Sequence, residues 1–234
     1  RFDLVMGYSR SMSHMHASYV PNNFSDLVEG GDGGFDVGAF GVQPTADVVH
    51  FASNCGSEMR QLWVEELMGV LPVDSFGRCN KNKELPEELM QAEKRTDRDE
   101  VWERVGRNSK VFTSQSAQAV VKRGVMSLYK FGLAFENTVE PDYVTEKVFE
   151  VLRAGAVPVY LGAPNWRDFV PMHQSVIDAS DFESPADLGL YLQHVASNHS
   201  LYRQYHEWRH QPLPPQVSSL EATSFQWNLC RVCG

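Results

Sequence analysis

The sequence predicts an α/β fold, a parallel sheet with helices on both faces. Three observations carry that expectation. Short apolar runs such as "DVVHFA", "LYKFGLAF" and "AVPVYLG" read as buried strands. Helix-length stretches with a different spacing of apolar residues separate several of them. Strand and helix patterns alternate along the chain, which favours parallel strands joined by helical crossovers.

Residues 1–8 read as a short strand. Residues 9–44 are rich in Ser, Met, His and Gly and read as a segment with a flexible loop. The expected organisation is therefore a 1–44 N-terminal or interdomain segment, then one domain over 45–234. "EGGDGGF" (29–35) lacks the G-x-G-x-x-G spacing and is not followed by a helix pattern, so it is not read as a phosphate loop. His14-Met15-His16 is compatible with a metal, and a solvated loop is the plainer reading. Residues 47–52 predict a strand. A helix follows within "EMRQLWVEELMGVL", with Leu62, Val64, Leu67, Met68 and Leu71 broadly on one side. "VDSF" predicts the next strand, ending at Gly77 and closing a βαβ unit. The 80–118 stretch carries a charged run that reads as a solvated, partly helical insertion. Residues 128–135 predict a strand. Thr145 is placed to cap a helix over about 146–154, and Gly155 to end it. Residues 156–162 predict a further buried strand, and 175–182 a short unit. Residues 184–209 predict helix, with Leu188, Tyr191, Leu192 and Val195 on one face.

With 42% hydrophobic and 22% charged residues in 234, the composition is that of a globular chain large enough to bury a sizeable core. A net charge of −9 argues against general nucleic-acid binding, which uses Lys and Arg to neutralise phosphates. No run of about 18 apolar residues predicts a membrane span, and no signal peptide is visible. The chain opens on Arg1 in mid-pattern and is read as a portion of a longer protein. Its four cysteines, Cys55, Cys79, Cys230 and Cys233, read as structural disulfides, with free thiols or a metal as alternatives. Two sequons, at Asn23 and Asn198, lean with the cysteines towards the secretory pathway.

The polar stretch between the strand at 128–135 and the helix at 146 draws attention because core packing does not call for it. Ligands of parallel α/β sheets bind at the carboxyl ends of strands, where helix N-termini favour anions. Lys147 adds a full charge in the first helical turn, where the helix dipole disfavours a cation, and a bound phosphate would account for it. Glu146 would hold sugar hydroxyls or simply stabilise the helix start. Asn137 would bond a base, ribose or phosphate, or act as a turn former.

"YKFGLAFENTVEPDYVTEKVFEVLRAGAVPVYLGAPN" closely resembles the signature of the α1,3-fucosyltransferases, Y-K-F-x-L-x-F-E-N, then D-Y-x-T-E-K, then A-G-x-V-P-V-x-x-G. "FDLVMGY", "SNCGSEMR", "VDSFGRC", "LYRQYHEWR" and the terminal "CRVC" agree in order. The wording of "SNCG", "DSFGRC" and "GAPN" is most similar to plant-type core enzymes acting on N-glycans. The resemblance implies a Rossmann-like domain, the C-terminal donor-binding half of a GT-B arrangement. It also implies inverting transfer of fucose from GDP-fucose, in α1,3 linkage, to GlcNAc of a glycoprotein glycan.

The family's donor residues fall on Asn137, Tyr143, Glu146 and Lys147, and its phosphate-binding arginine on Arg60. Arg60 and Lys147 would neutralise the leaving diphosphate, so the reading requires no metal and no tightly bound cofactor. Glu146 would contact the fucose ring. The general base belongs to the family's N-terminal domain, so none is assigned here. Glu140 and Asp142 fall in a variable turn. The resemblance further implies a Golgi-lumenal, membrane-anchored full-length protein. It also implies a Cys55–Cys79 pairing, with the terminal cysteines joined to the absent half. The family's Y-R-x-D-S-D segment reads "YSRSMSHMH", which displaces Arg10. The alternatives are a nucleotide-sugar-binding module without turnover and a transferase of another activated sugar.

Overall fold

The computed structural model describes residues 6–7, 15–16, 21, 23–29, 37–89, 117–170 and 172–221. Two dipeptide strands, β1 (Met6–Gly7) and β2 (Met15–His16), pair in parallel. The main sheet has five parallel strands: β3 (Val48–Ala52), β4 (Val73–Gly77), β5 (Phe131–Phe135), β6 (Val157–Leu161) and β7 (Ile177–Asp178). Their order is β4-β3-β5-β6-β7. The chain leaves β3 towards one edge to form β4, then crosses back to place β5 on the other side of β3. This reversal creates a topological switch point between β3 and β5, where such sheets hold ligands beyond their carboxyl ends.

Both faces of the sheet are covered because the strands are apolar on both. Val48, Leu133 and Val159 point to one face, together with Val64 and Leu67 of α2 (Glu58–Met68). Leu188, Leu192 and Val195 of a later helix, Pro185–Ser197, complete that layer. Val49, Ala134 and Tyr160 point to the other face, with α3 (Ala117–Met126) and α4 (Glu146–Ala154). The expected parallel sheet with helices on both faces is thus the architecture observed.

Helix α4 lies close against β5. A Cβ at Gly132 would sit 2.7 Å from the Val151 side chain, so only glycine permits the approach. Gly155 ends α4 at φ +86°, the left-handed conformation expected of a C-terminal glycine. Thr145 stands at the N-cap, but its side chain makes no capping bond to the helix. It bonds instead to Glu136, which corrects the expected cap.

The expected α2 face differs from the observed one. Leu62 is 52% exposed, whereas Arg60, Val64 and Leu67 are buried at i, i+4 and i+7. The helix therefore turns an arginine, not a leucine, inward. The predicted helix over 184–209 breaks at Asn198, whose side chain accepts from the Leu201 N–H. The break separates α5 (Pro185–Ser197) from α6 (His199–Gln204). Arg209, beyond them, donates to the carbonyls of Leu27 and Leu152 and ties this region to the ends of α1 (Ser25–Glu29) and α4.

The sequence suggested no element at 23–42, yet Phe24, Leu27, Val37 and Val42 are buried in the core layer on the α4 side. Cys55 and Cys79 form a disulfide, as the resemblance implies. Residues 90–116 of the charged insertion, 30–35 of the glycine-rich loop, Arg10, His14, Cys230 and Cys233 lie outside the described residues. Among the described residues, no helix is long and apolar enough to cross a membrane.

Candidate active site

A cleft of about 330 Å³ opens at the carboxyl ends of β3 and β5, at the switch point. Phe51 and Ala52 end β3 along one wall, and Ser53 and Asn54 continue it. Arg60 enters from α2, Lys122 from α3, Asn137 from the turn after β5, and Lys147 and Glu150 from α4. Three of the five sequence-assigned site residues, Arg60, Asn137 and Lys147, therefore line one cavity. Tyr143 does not line it, although its position influences the charge of Arg60. Glu146 is 53% exposed, with its carboxylate 3.9 Å from the Lys147 ammonium, and also lies outside the cleft lining.

Arg60 is the distinctive charge. It is 2% exposed, yet its side-chain bonds go to neutral acceptors: Asn137 Oδ1 at 2.6 Å and the Asn54 carbonyl. Its Nε–H is buried without an acceptor among the described residues. Burial lowers the Arg60 pKa from its ordinary value, and Glu136 and Tyr143 oppose that shift. A guanidinium this far from water, with an unused donor beside a cleft, is a site prepared for an anion.

Lys147 differs from expectation. Its ammonium lies 2.9 Å from Glu136 Oε2 and 2.9 Å from Thr145 Oγ1. Glu136 is buried and also accepts from the Thr145 N–H at 2.7 Å. The buried carboxylate accounts for a lysine at this unfavourable end of a helix, so no ligand is needed to explain it. Lys122 is matched in the same way, 2.6 Å from Glu150 Oε2. The cleft therefore holds two internally balanced ammonium groups around one arginine with no carboxylate partner among the described residues.

His50 on β3 is buried beside this arrangement. Its Nδ1 lies 3.0 Å from Ser75 Oγ, which is also 3.2 Å from the Cys79 carbonyl. The His50 pKa is held down to about 3 by burial, aided by the charges of Arg60 and Lys122. The histidine adds no charge to the cleft at neutral pH.

Sequence reasoning missed Glu136, Lys122 and Glu150. Glu136 directly continues the apolar β5 run, and a carboxylate in such a place needs a partner, which is a legible signal. Lys122 had none, because its helix was not recognised and only folding brings α3 beside α4. Among the described residues, no cluster of three or more His, Cys, Asp or Glu side chains could hold a metal ion.

Residues 43–234 match the family model described as glycosyltransferase family 10 (fucosyltransferase) C-term. The chain belongs to this family. A GDP-fucose protein O-fucosyltransferase 3 from Xenopus laevis is 39% identical over 150 residues, 64% of this chain and 27% of that protein. An alpha-(1,3)-fucosyltransferase B from Drosophila melanogaster is 34% identical over 169 residues, 72% of this chain and 34% of that protein. This family 10 chain thus spans only about a quarter to a third of the length of these relatives. An alpha1,3-fucosyltransferase crystal structure with GDP-fucose superposes with a TM-score of 0.52 at 20% identity, covering 73% of this chain and 41% of the other. A second alpha1,3-fucosyltransferase structure gives 0.54 at 19% identity, covering 80% and 44%. At these identities the two structures speak to the fold alone, and both share that of this family 10 chain.

Proposed function

We propose that this chain is the donor-binding half of an inverting fucosyltransferase. The enzyme transfers L-fucose from GDP-fucose, in α1,3 linkage, to GlcNAc of a glycoprotein glycan. The observation that carries the reading is Arg60, a buried guanidinium without a carboxylate partner among the described residues, at the switch-point cleft of a family 10 domain. As the bond from fucose C1 to the diphosphate oxygen breaks, negative charge grows on the leaving GDP. A fixed, poorly hydrated guanidinium stabilises that charge more than it stabilises the ground state. Lys147 and Lys122 add positive potential, tempered by Glu136 and Glu150. Asn137 and Tyr143 bind the donor beside Arg60, and Glu146 meets the fucose ring and supports its developing positive charge. These cations take the role that a metal plays at other diphosphates.

Inversion requires a base on the side of the sugar away from GDP. Asp142 is not that base, because it is buried and bonded to Asn165. The base comes from the N-terminal domain. The Cys55–Cys79 disulfide supports an oxidising compartment, consistent with a Golgi-lumenal, membrane-anchored enzyme. The 39% identity to a protein O-fucosyltransferase favours one second reading, in which the acceptor is a protein hydroxyl.

The test is fucosyl transfer by the full-length protein to a GlcNAc-terminated glycopeptide and to an unglycosylated Ser/Thr peptide. The expected result is an α1,3-fucosylated glycan, with kcat lowered about a hundredfold by Arg60→Met. Transfer only to the peptide would move the acceptor to the second reading. Donor binding without transfer to either would make the chain part of a binding module.

A further inference from the structure

The segment joining β5 to α4 carries Asn137 and Tyr143 and, besides the Arg60–Asn137 bond, is tied down at its base and its crest. At its base, Glu136 accepts from the Thr145 N–H at 2.7 Å and from Thr145 Oγ1 at 2.9 and 2.7 Å. At its crest, Asp142 adopts φ +68°, a left-handed conformation that non-glycine residues seldom take unaided. There it meets Asn165 in the turn after β6. The Asp142 N–H donates to Asn165 Oδ1 at 2.8 Å, and Asn165 Nδ2 donates back to Asp142 Oδ1 at 3.0 Å and reaches Asp168 Oδ2 at 3.4 Å. Asp142 is only 8% exposed, so these bonds form largely out of water.

We infer that Asn165 is a positioning residue for the donor site. Its amide clamps Asp142 in the left-handed conformation. The clamp sets the path of residues 137–144, and so the placement of Asn137 against Arg60 and of Tyr143 beside the cleft. Asn165 does not line the cleft and acts only through this loop. The inference rests on the reading of the cleft as a GDP-fucose site.

The chemistry of the clamp is directional. One end of the Asn165 side chain must accept from a backbone N–H while the other donates to a carboxylate, and an amide does both. Asn165→Asp sets carboxylate against carboxylate. Adding Asp142→Asn restores the pair with its polarity reversed: the introduced carboxylate accepts from the backbone N–H of residue 142 and from the introduced amide. Asn also tolerates the left-handed conformation.

The experiment is calorimetric titration of the chain with GDP, for the wild type, both single variants and the double variant, with unfolding midpoints measured in parallel. Asn165→Asp should weaken GDP binding about tenfold, the scale of a lost charge-assisted bond. Asp142→Asn alone retains both bonds and should stay within about threefold of wild type, and the double variant, whose introduced carboxylate still faces Asp168 Oδ2, should recover part of the lost affinity. A purely structural contact would lower the midpoint while leaving the folded variant's GDP affinity unchanged. Unchanged affinity in Asn165→Asp, or a double variant no better than that single one, overturns the positioning role. Absence of GDP binding by the wild type overturns the donor-site reading and the clamp with it. Should Asn165→Asp not fold, the milder Asn165→Ser is titrated in its place, and GDP affinity in that folded variant equal to wild type overturns the clamp.

Discussion

Replacing Lys147 by Met should cost folding stability before it reports anything about a ligand. The Lys147 ammonium sits 2.9 Å from Glu136 Oε2, and the Glu136 side chain is 0% exposed. Removing one partner of a buried ion pair typically costs about 3–5 kcal/mol, because the other charge is stranded. The Lys147 side chain keeps 19% exposure, and Thr145 continues to donate to Glu136. These features set the expected loss at the lower end, about 3 kcal/mol. Glu136→Gln alone should cost about 1–2 kcal/mol, since the partly exposed ammonium can turn to water. Combined, the two changes leave no stranded charge and should cost no more than Glu136→Gln does, which is a coupling of at least about 3 kcal/mol. Urea unfolding of the four proteins at pH 7 measures it. A Lys147→Met loss below about 1 kcal/mol, or losses that simply add in the double variant, would refute the argument. GDP titration of the double variant then isolates any ligand contact of Lys147 from its structural duty.

Two further outcomes follow from the same structure. Replacing both Cys55 and Cys79 by Ser should cost about 3 kcal/mol in chemical denaturation, from the chain entropy of a loop with a sequence separation of 24. An undiminished midpoint would show the loop to be held equally well without the bond. His50 has a folded pKa of about 3 against 6.5 for the ordinary value, so below neutral pH the unfolded chain binds a proton that the folded chain refuses. Its contribution is complete above about pH 6.5 and is lost as the pH falls towards 3. The wild type should lose about 2 kcal/mol more than His50→Asn between pH 7 and pH 5. Equal losses in the two proteins would place the acid sensitivity elsewhere.

The order of strands and helices around the cleft was legible because each element is written in neighbouring residues. An apolar run of about five residues at β3, β5 or β6 records burial on both faces. Gly155 records the end of a helix in the one conformation that other residues avoid. The 136–147 segment announced itself through polar residues where packing alone would not place them, and its motif identified the family. Arg60, Asn137 and Lys147, named through that resemblance, line one cleft in the folded chain.

What the sequence determined by itself was the α/β class, the family signature and the polar stretch at the end of β5. These depend on local periodicity and on residue types that carry their reason within a few positions. Tertiary structure alone decided the charge balance. Glu136 lies 11 residues from Lys147, and Glu150 lies 28 residues from Lys122, and both pairs close only when α3, α4 and β5 are packed together. It also decided that Arg60, rather than Lys147, is a cation in the cleft with no carboxylate partner among the described residues. Pairing of charges depends on distance and dehydration in the folded chain, and neither quantity is written in the order of residues.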